Sequence, residues 1–244
     1  MIDMPASTLR PTSPVQRSID DDGTRLRLLE AGGEIFANGG FEPATVRDIC
    51  IRAGANVASV NYHFGGKFAL YRACIEHWLH VARDRFPMDD EIARARSPRA
   101  KLEAFVRVFL NRLLDPGKPA WHAQLMMREF SSPTGVLEEV CDRQFIPVMT
   151  ALRSIVREIA GPGTPSITID RCIISVISQC TACHEKRRVM GRVFENVERI
   201  VDINELSAHI TAFSYAGIRA AREVEVKKPT KPTKSTKPST RRRK

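Results

Sequence analysis

No stretch of this 244-residue chain is apolar for long enough to cross a membrane as a helix, and no signal-peptide pattern opens it. A membrane or secreted protein is thereby set aside, and the expected setting is the cytoplasm, in association with the nucleoid. Catalytic motifs are missing as well. There is no phosphate-binding P-loop, no Gly-x-Gly-x-x-Gly following a strand, no nucleophile elbow and no His-Glu-x-x-His. Nucleotide hydrolases, dinucleotide oxidoreductases, serine hydrolases and zinc proteases of the common kinds are excluded, and no enzyme reading competes. No alternation of apolar and polar residues predicts a strand, and no segment repeats. The six cysteines, unaccompanied by an export signal, are expected as reduced thiols rather than as a disulfide framework.

The positive charge has an uneven address. Lys and Arg number 38 against 28 Asp and Glu, a formal net charge of +10. Residues 227–244 hold 9 of the cations and no acid, so the other 226 residues carry 29 cations against 28 anions. The folded body is thus nearly neutral, and any polyanion it recognises must meet a few placed cations rather than a general field. The 225–244 segment, rich in Lys, Pro and Thr, cannot bury enough apolar surface to fold. It reads as a basic arm able to neutralise phosphates, or as a merely solubilising extension. Residues 1–22, with three prolines and Asp20-Asp21-Asp22, are expected as a flexible N-terminal arm. The aspartates, like Glu138-Glu139, read as solvated charge clusters.

Between these ends the pattern is helical throughout. Leu26, Leu29, Ile35 and Phe36 fall at helical spacing and predict a first helix that stops at Asn38-Gly39-Gly40. A second starts near Pro43–Thr45 and buries Val46, Ile49 and Cys50. Gly54 allows a sharp reversal, and Asn56 can cap the next helix through its side-chain oxygen. That helix, Val57–Phe64, is too short to serve as a core element alone. With Val60 and Phe64 inward, Val57, Ala58, Ser59, Asn61, Tyr62 and His63 are left to be shared between a DNA groove and its flanking phosphates, as in a helix-turn-helix. Gly65-Gly66 ends it, and Lys67 opens a fourth helix through Trp78, its ammonium placed to meet a phosphate. Pro87–Arg96 reads as a joint. Helices then follow from Ser97-Pro98 to Leu114, inward through Leu102, Phe105, Val106 and Phe109, and from Pro119 to Phe130. Others are expected from Pro133 to Ala160 with a bend at Pro147, over Ile167–Phe194 and over Ile203–Glu223. The fold class is all-α: an N-terminal three-helix helix-turn-helix domain (23–80) followed by a helical-bundle effector and dimerisation domain (81–224).

The residues Thr45, Ala53-Gly54-Ala55-Asn56, Asn61-Tyr62-His63-Phe64, Lys67 and Leu70-Tyr71 resemble the N-terminal domain of TetR-type regulators. Two positions depart from the pattern: Asn61 replaces the usual aromatic, and Asn56 the usual serine cap. One TetR subgroup also carries an Arg-Glu…Pro-Thr element, present here as Arg128-Glu129 and Pro133-Thr134. The resemblance implies groove contacts by Val57, Ala58 and Ser59 and a base or phosphate contact by Arg47. It also implies phosphate contacts by Tyr62, His63 and Lys67, and a backbone clamp and helix cap at Thr45. For Tyr62 and His63 the alternative is a place in the core. It further implies a homodimer through the last two long helices, binding double-stranded DNA and an unidentified small-molecule effector. Trp121, Met126, Phe130, Phe145 and Met149 are the candidate effector contacts, with ordinary core as the alternative. A single short recognition helix reads few bases, so a dimer on a palindrome is also what specificity demands.

Cys180-Thr181-Ala182-Cys183-His184 matches the pattern of covalent haem attachment. Without an export signal, and with no visible distal ligand, no cofactor and no metal are expected. A thiol pair on neighbouring helical turns, or a metal site lacking a fourth ligand, are the other readings. Cys50, Cys74, Cys141 and Cys172 read as small apolar side chains. The function expected is a sequence-specific, effector-responsive transcriptional regulator, most often a repressor in that family. The alternative is an architectural, largely non-specific DNA-binding protein that relies on the basic tail.

Overall fold

The computed structural model describes residues 14–114, 119, 121–195 and 202–226, with side chains from residue 21 onward except at 141, 183–193 and 222–226. Helices make up all the regular structure there. They are α1 (Pro14–Gly39), α2 (Val46–Ala53), α3 (Val57–Phe64), α4 (Lys67–Arg85) and α5 (Met88–Arg94). Then come α6 (Pro98–Leu114), α7 (Trp121–Ser131), α8 (Val136–Ala160), α9 (Ser166–Val193) and α10 (Ile203–Val226). Among the described residues no helix is long and apolar enough to cross a membrane. The basic tail lies outside them.

Two apolar cores organise the chain. The first is built from α1–α4 around Leu28, Leu29, Phe36, Ile49, Val60, Leu70, Tyr71 and Ile75, and it also takes in Trp121, Leu125 and Met126 of α7 and Val136 and Val140 of α8. The second collects Met88 of α5, Leu102, Phe105 and Val106 of α6, Leu152, Ile155 and Val156 of α8, and residues of α9 and α10. The N-terminal core therefore extends well past residue 80 along the chain. Helix α8 serves both cores, its first turns feeding one and its last turns the other. At ~1.5 Å per residue it spans about 37 Å, with Pro147 between the two ends.

Five details differ from the sequence-based expectation. Helix α1 reaches back to Pro14, so residues 14–22 are helical rather than an arm; proline is well tolerated in a first turn, where its missing N–H is no loss. Leu26 is 50% exposed, because Gly32 and Gly33 complete a buried stripe through Leu28, Leu29 and Phe36 that leaves it on the flank. Helix α4 continues to Arg85 rather than stopping at Trp78. The 87–96 joint contains α5, anchored by buried Met88. Phe109 is half-buried rather than central, while Leu110 and Leu113 are buried.

Candidate nucleic-acid interface

The α2–turn–α3 unit is set by local chemistry. The Thr45 hydroxyl accepts from the Asp48 N–H at 3.1 Å and donates to the Asp48 carboxylate at 2.6 Å, which satisfies one of the free amides of α2. Gly54 closes α2 at φ 59°, a left-handed conformation that glycine adopts without a Cβ clash. Asn56 then caps α3 by accepting from the Ala58 N–H at 3.0 Å. Gly65, at φ 85°, ends α3 after two turns.

The only fully buried residue of α3 is Val60, with Phe64 packed partly against the first core. Tyr62 is 76% exposed and Val57 51% exposed, and Ala58 and Asn61 are also exposed, with Ser59 intermediate. Val57 and Tyr62 thus stand in water on a two-turn helix and contribute little to the core. Arg47 is exposed on α2. The face thus carries hydroxyl, amide, methyl and phenol groups and no carboxylate of its own.

Helix α1 buttresses this unit from behind. Arg27 Nε donates to the Ala53 carbonyl at 3.1 Å, bonding the C-terminal end of α2. Arg52 pairs with Glu34, and the Arg25 guanidinium lies 5.3 Å from the Phe64 ring centre. These three braces were missed in the sequence, because nothing local marks which arginine of a helix faces another element.

Two of the anticipated contact residues are committed within the chain. The His63 side chain is only 7% exposed, with Nε2 3.6 Å from Asp21 Oδ1, so it faces α1 rather than the open side of α3. Lys67 donates to the Glu42 carbonyl at 3.0 Å and sits 4.5 Å from the Phe41 ring centre. It stands nonetheless at the start of α4, where Gly66 supplies no side-chain cap and the first-turn amides remain open to an anion. Thr45 serves as a cap, as described. Val57, Ala58, Ser59, Asn61 and Tyr62 share one open helix, with Arg47 on its neighbour.

The five residues expected around an effector divide between the two cores, four on or beside the first and Met149 on the second. Trp121 and Met126 are buried in the first core, Phe145 packs on its margin, and Met149 packs against the second. Phe130 is 52% exposed, its ring 6.2 Å from that of Phe145. Trp121 joins α7 to α1: its Nε1–H donates to Glu30 Oε2 at 3.0 Å. Cys180 is buried in the second core, whereas the side chains of Cys141, Cys183 and His184 lie outside the described residues. Cys50 and Cys74 are buried, and burial pushes both thiols above their ordinary value.

The Arg-Glu…Pro-Thr element has a clear place. Arg128 donates from Nε to the Ala37 carbonyl at 3.0 Å and from Nη2 to the Asn38 carbonyl at 2.9 Å. Glu129, fully buried, accepts from the Tyr71 hydroxyl at 2.7 Å and from Thr134 N–H at 2.9 Å. Burial and the adjoining carboxylate together raise the Tyr71 pKa far above the phenol range, so the hydroxyl stays a donor.

Known proteins agree with this architecture. Residues 28–74 match the family model described as bacterial regulatory proteins of the tetR family, and residues 98–218 match that of the C-terminal domain of the HTH-type transcriptional dual regulator CecR. Together the two models take in more than half of the chain. The HTH-type transcriptional dual regulator CecR of Shigella flexneri is 27% identical over 152 residues, covering 59% of this chain and 68% of the relative. A candidate transcriptional regulator of Pseudomonas aeruginosa PAO1 superposes with a TM-score of 0.61 at 21% identity, over 87% of this chain and 95% of that one. HlyIIR, a hemolysin II transcriptional regulator, gives 0.50 at 20% identity, over 74% and 96%. A candidate regulator of Saccharomonospora viridis, solved with choline, gives 0.57 at 15%, over 79% and 95%. At these identities the solved structures attest the fold alone. With an outward-facing second helix in its helix-turn-helix and both halves matched, the chain belongs to the tetR family of bacterial regulatory proteins and is a DNA-binding transcriptional regulator.

Proposed function

We propose that this regulator is a cytoplasmic repressor, without enzymatic activity, that binds a palindromic operator as a homodimer and releases it on binding a small effector. The observation that carries the reading is the outward display of Val57, Ala58, Asn61 and Tyr62 from a two-turn helix capped at both ends. In the proposed complex α3 enters the major groove, where the Val57 and Ala58 methyl groups meet thymine methyls and Ser59 and Asn61 hydrogen-bond base edges. Tyr62, Lys67 and Arg47 take the flanking phosphates, and Thr45 holds the start of α2 against the backbone. His63 acts from behind, through α1. The 227–244 tail adds salt-sensitive, non-specific affinity.

A dimer is supported by the outer surface of α9 and α10. Ile167, Ile174 and Phe213 are 52%, 64% and 66% exposed there, beside a groove of about 390 Å³ floored by small side chains such as Ser175, Gly217 and Ala221. An isologous contact would seat each Phe213 against the partner's groove and cover the isoleucines. That a neighbour of the fold was solved with choline supports a small-molecule effector as the class of signal.

Sedimentation of the free protein and of its complex with a selected operator tests the reading. The expected result is twice the 27.4 kDa chain mass in both, with two chains per duplex and lower transcription from a promoter overlapping that operator. A monomer at micromolar concentration, or one chain per duplex, would contradict it.

A further inference from the structure

We infer that Arg128 and Glu129 are positioning residues for operator recognition: as neighbours on α7 they grip the two ends of the segment that contains the helix-turn-helix. The grip on the near end is the Arg128 fork on the Ala37 and Asn38 carbonyls, at 3.0 and 2.9 Å. These are last-turn carbonyls of α1 that the helix leaves unpaired, and a cation there also meets the negative end of the helix dipole. Gly40 follows at φ 92°, with the Arg128 guanidinium so close that a Cβ there would stand 3.2 Å from Nη1. The grip on the far end is the Tyr71 hydroxyl on Glu129, 2.7 Å long, between residues 1% and 0% exposed. Helices α2 and α3, residues 46–64, lie wholly between Asn38 and Tyr71.

The aim of the carboxylate is fixed from a third side. Thr134 N–H donates to Glu129 Oε1 at 2.9 Å, and the Thr134 hydroxyl lies 3.1 Å from both carboxylate oxygens. A buried carboxylate is expensive unless its lone pairs are met, and apolar side chains would fill the same space at less cost. What the polar pair adds is one geometry: a displacement of α7 moves the end of α1 and the start of α4 together, and the recognition helix with them. Trp121, the first residue of the same helix, is bonded to Glu30 and keeps α7 flush on α1. The effector half therefore addresses the DNA-binding half through α7, and in a dimer the two grips set the separation of the two recognition helices.

This inference rests on the dimeric-operator reading, and the test separates the two. Full-length protein is offered a library of duplexes carrying both half-sites, with the spacer varied one base pair at a time. Wild type, Arg128→Lys and Tyr71→Phe are compared, with thermal unfolding measured alongside. Lysine keeps the charge but cannot span two carbonyls with a planar fork. Phenylalanine keeps the ring and removes only the bond to Glu129. In each variant the preference for the best spacer over its one-base-pair neighbours should fall about tenfold or more, while affinity for an isolated half-site stays within about twofold. A merely structural role would lower the unfolding temperature and leave the spacer preference unmoved. Spacer preference kept in both folded variants overturns the positioning role alone. A wild-type protein with no spacer preference overturns the dimeric-operator reading, and this inference with it.

Discussion

Replacing Gly33 by alanine should destabilise the protein, against the usual benefit of alanine in a helix. A Cβ at Gly33 would stand 2.4 Å from the Trp121 ring, inside any real carbon contact, and the ring is buried. Alanine for glycine within a helix gains about 1 kcal/mol. Forcing the indole away costs about 1–3 kcal/mol in overpacking. The displaced Nε1–H also loses its 3.0 Å bond to Glu30, worth roughly 1.5 kcal/mol at the low end expected for a half-buried carboxylate. The balance is a loss of about 2.5 kcal/mol, or about 5–10 °C in unfolding temperature for a chain of this size. Gly39→Ala is the control, since a Cβ there meets nothing within 4 Å, and it should change stability by about +1 kcal/mol at most. Urea melts of the two variants at one fixed protein concentration make the comparison, since association would shift both midpoints. Equal midpoints for Gly33→Ala and Gly39→Ala would refute the tight α1–α7 contact.

Tyr62→Ala should weaken operator binding by about tenfold with no measurable loss of stability, because its side chain is 76% exposed. Lys67→Ala should weaken it similarly and lower the salt dependence by about one, at a stability cost of up to ~1 kcal/mol from the lost Glu42 contact; fluorescence anisotropy across a salt series reads both. Burial holds the His77 imidazole below its ordinary value, Glu30 opposing and Arg25 and His80 reinforcing. The unfolded chain then takes up that proton first, so His77 contributes full stability above about pH 6.5, lost as pH falls through the lower folded value. Urea midpoints from pH 8 to 5 should fall more steeply in wild type than in His77→Gln. Gly217→Trp, at a position where a Cβ meets nothing within 4 Å, should leave helix content intact and shift the sedimenting species toward monomer.

What could be seen in the sequence was what short-range chemistry decides. Thr45, Gly54, Asn56 and Gly65 act on amides or carbonyls within a few residues of themselves, so the bounds of α2 and α3 follow from them alone. Long-range pairing was not legible. Gly33 against Trp121 joins positions 88 apart, and the gap left for the indole has no side chain to announce it. For His63 a phosphate contact and a place in the core stayed equally open in the sequence, because Asp21 comes beside it only through α1, extended back to Pro14. The aromatic and methionine residues chosen as effector contacts are apolar in the way any core is, and nothing in their spacing told which of two cores each joins. Arg128, Glu129 and Thr134 stood out as an element, yet their partners Ala37, Asn38 and Tyr71 lie on helices brought near only by the fold.

Whether α3 reads sequence is decided by selection from random duplex DNA with the chain truncated after Val226. Without the basic tail, one palindrome with fixed half-site spacing should be recovered, and lost when Val57, Ser59 and Asn61 are exchanged together. Recovery of no preferred sequence, while the full-length chain still binds all DNA, would contradict sequence reading by α3 and leave the tail as the DNA-binding part.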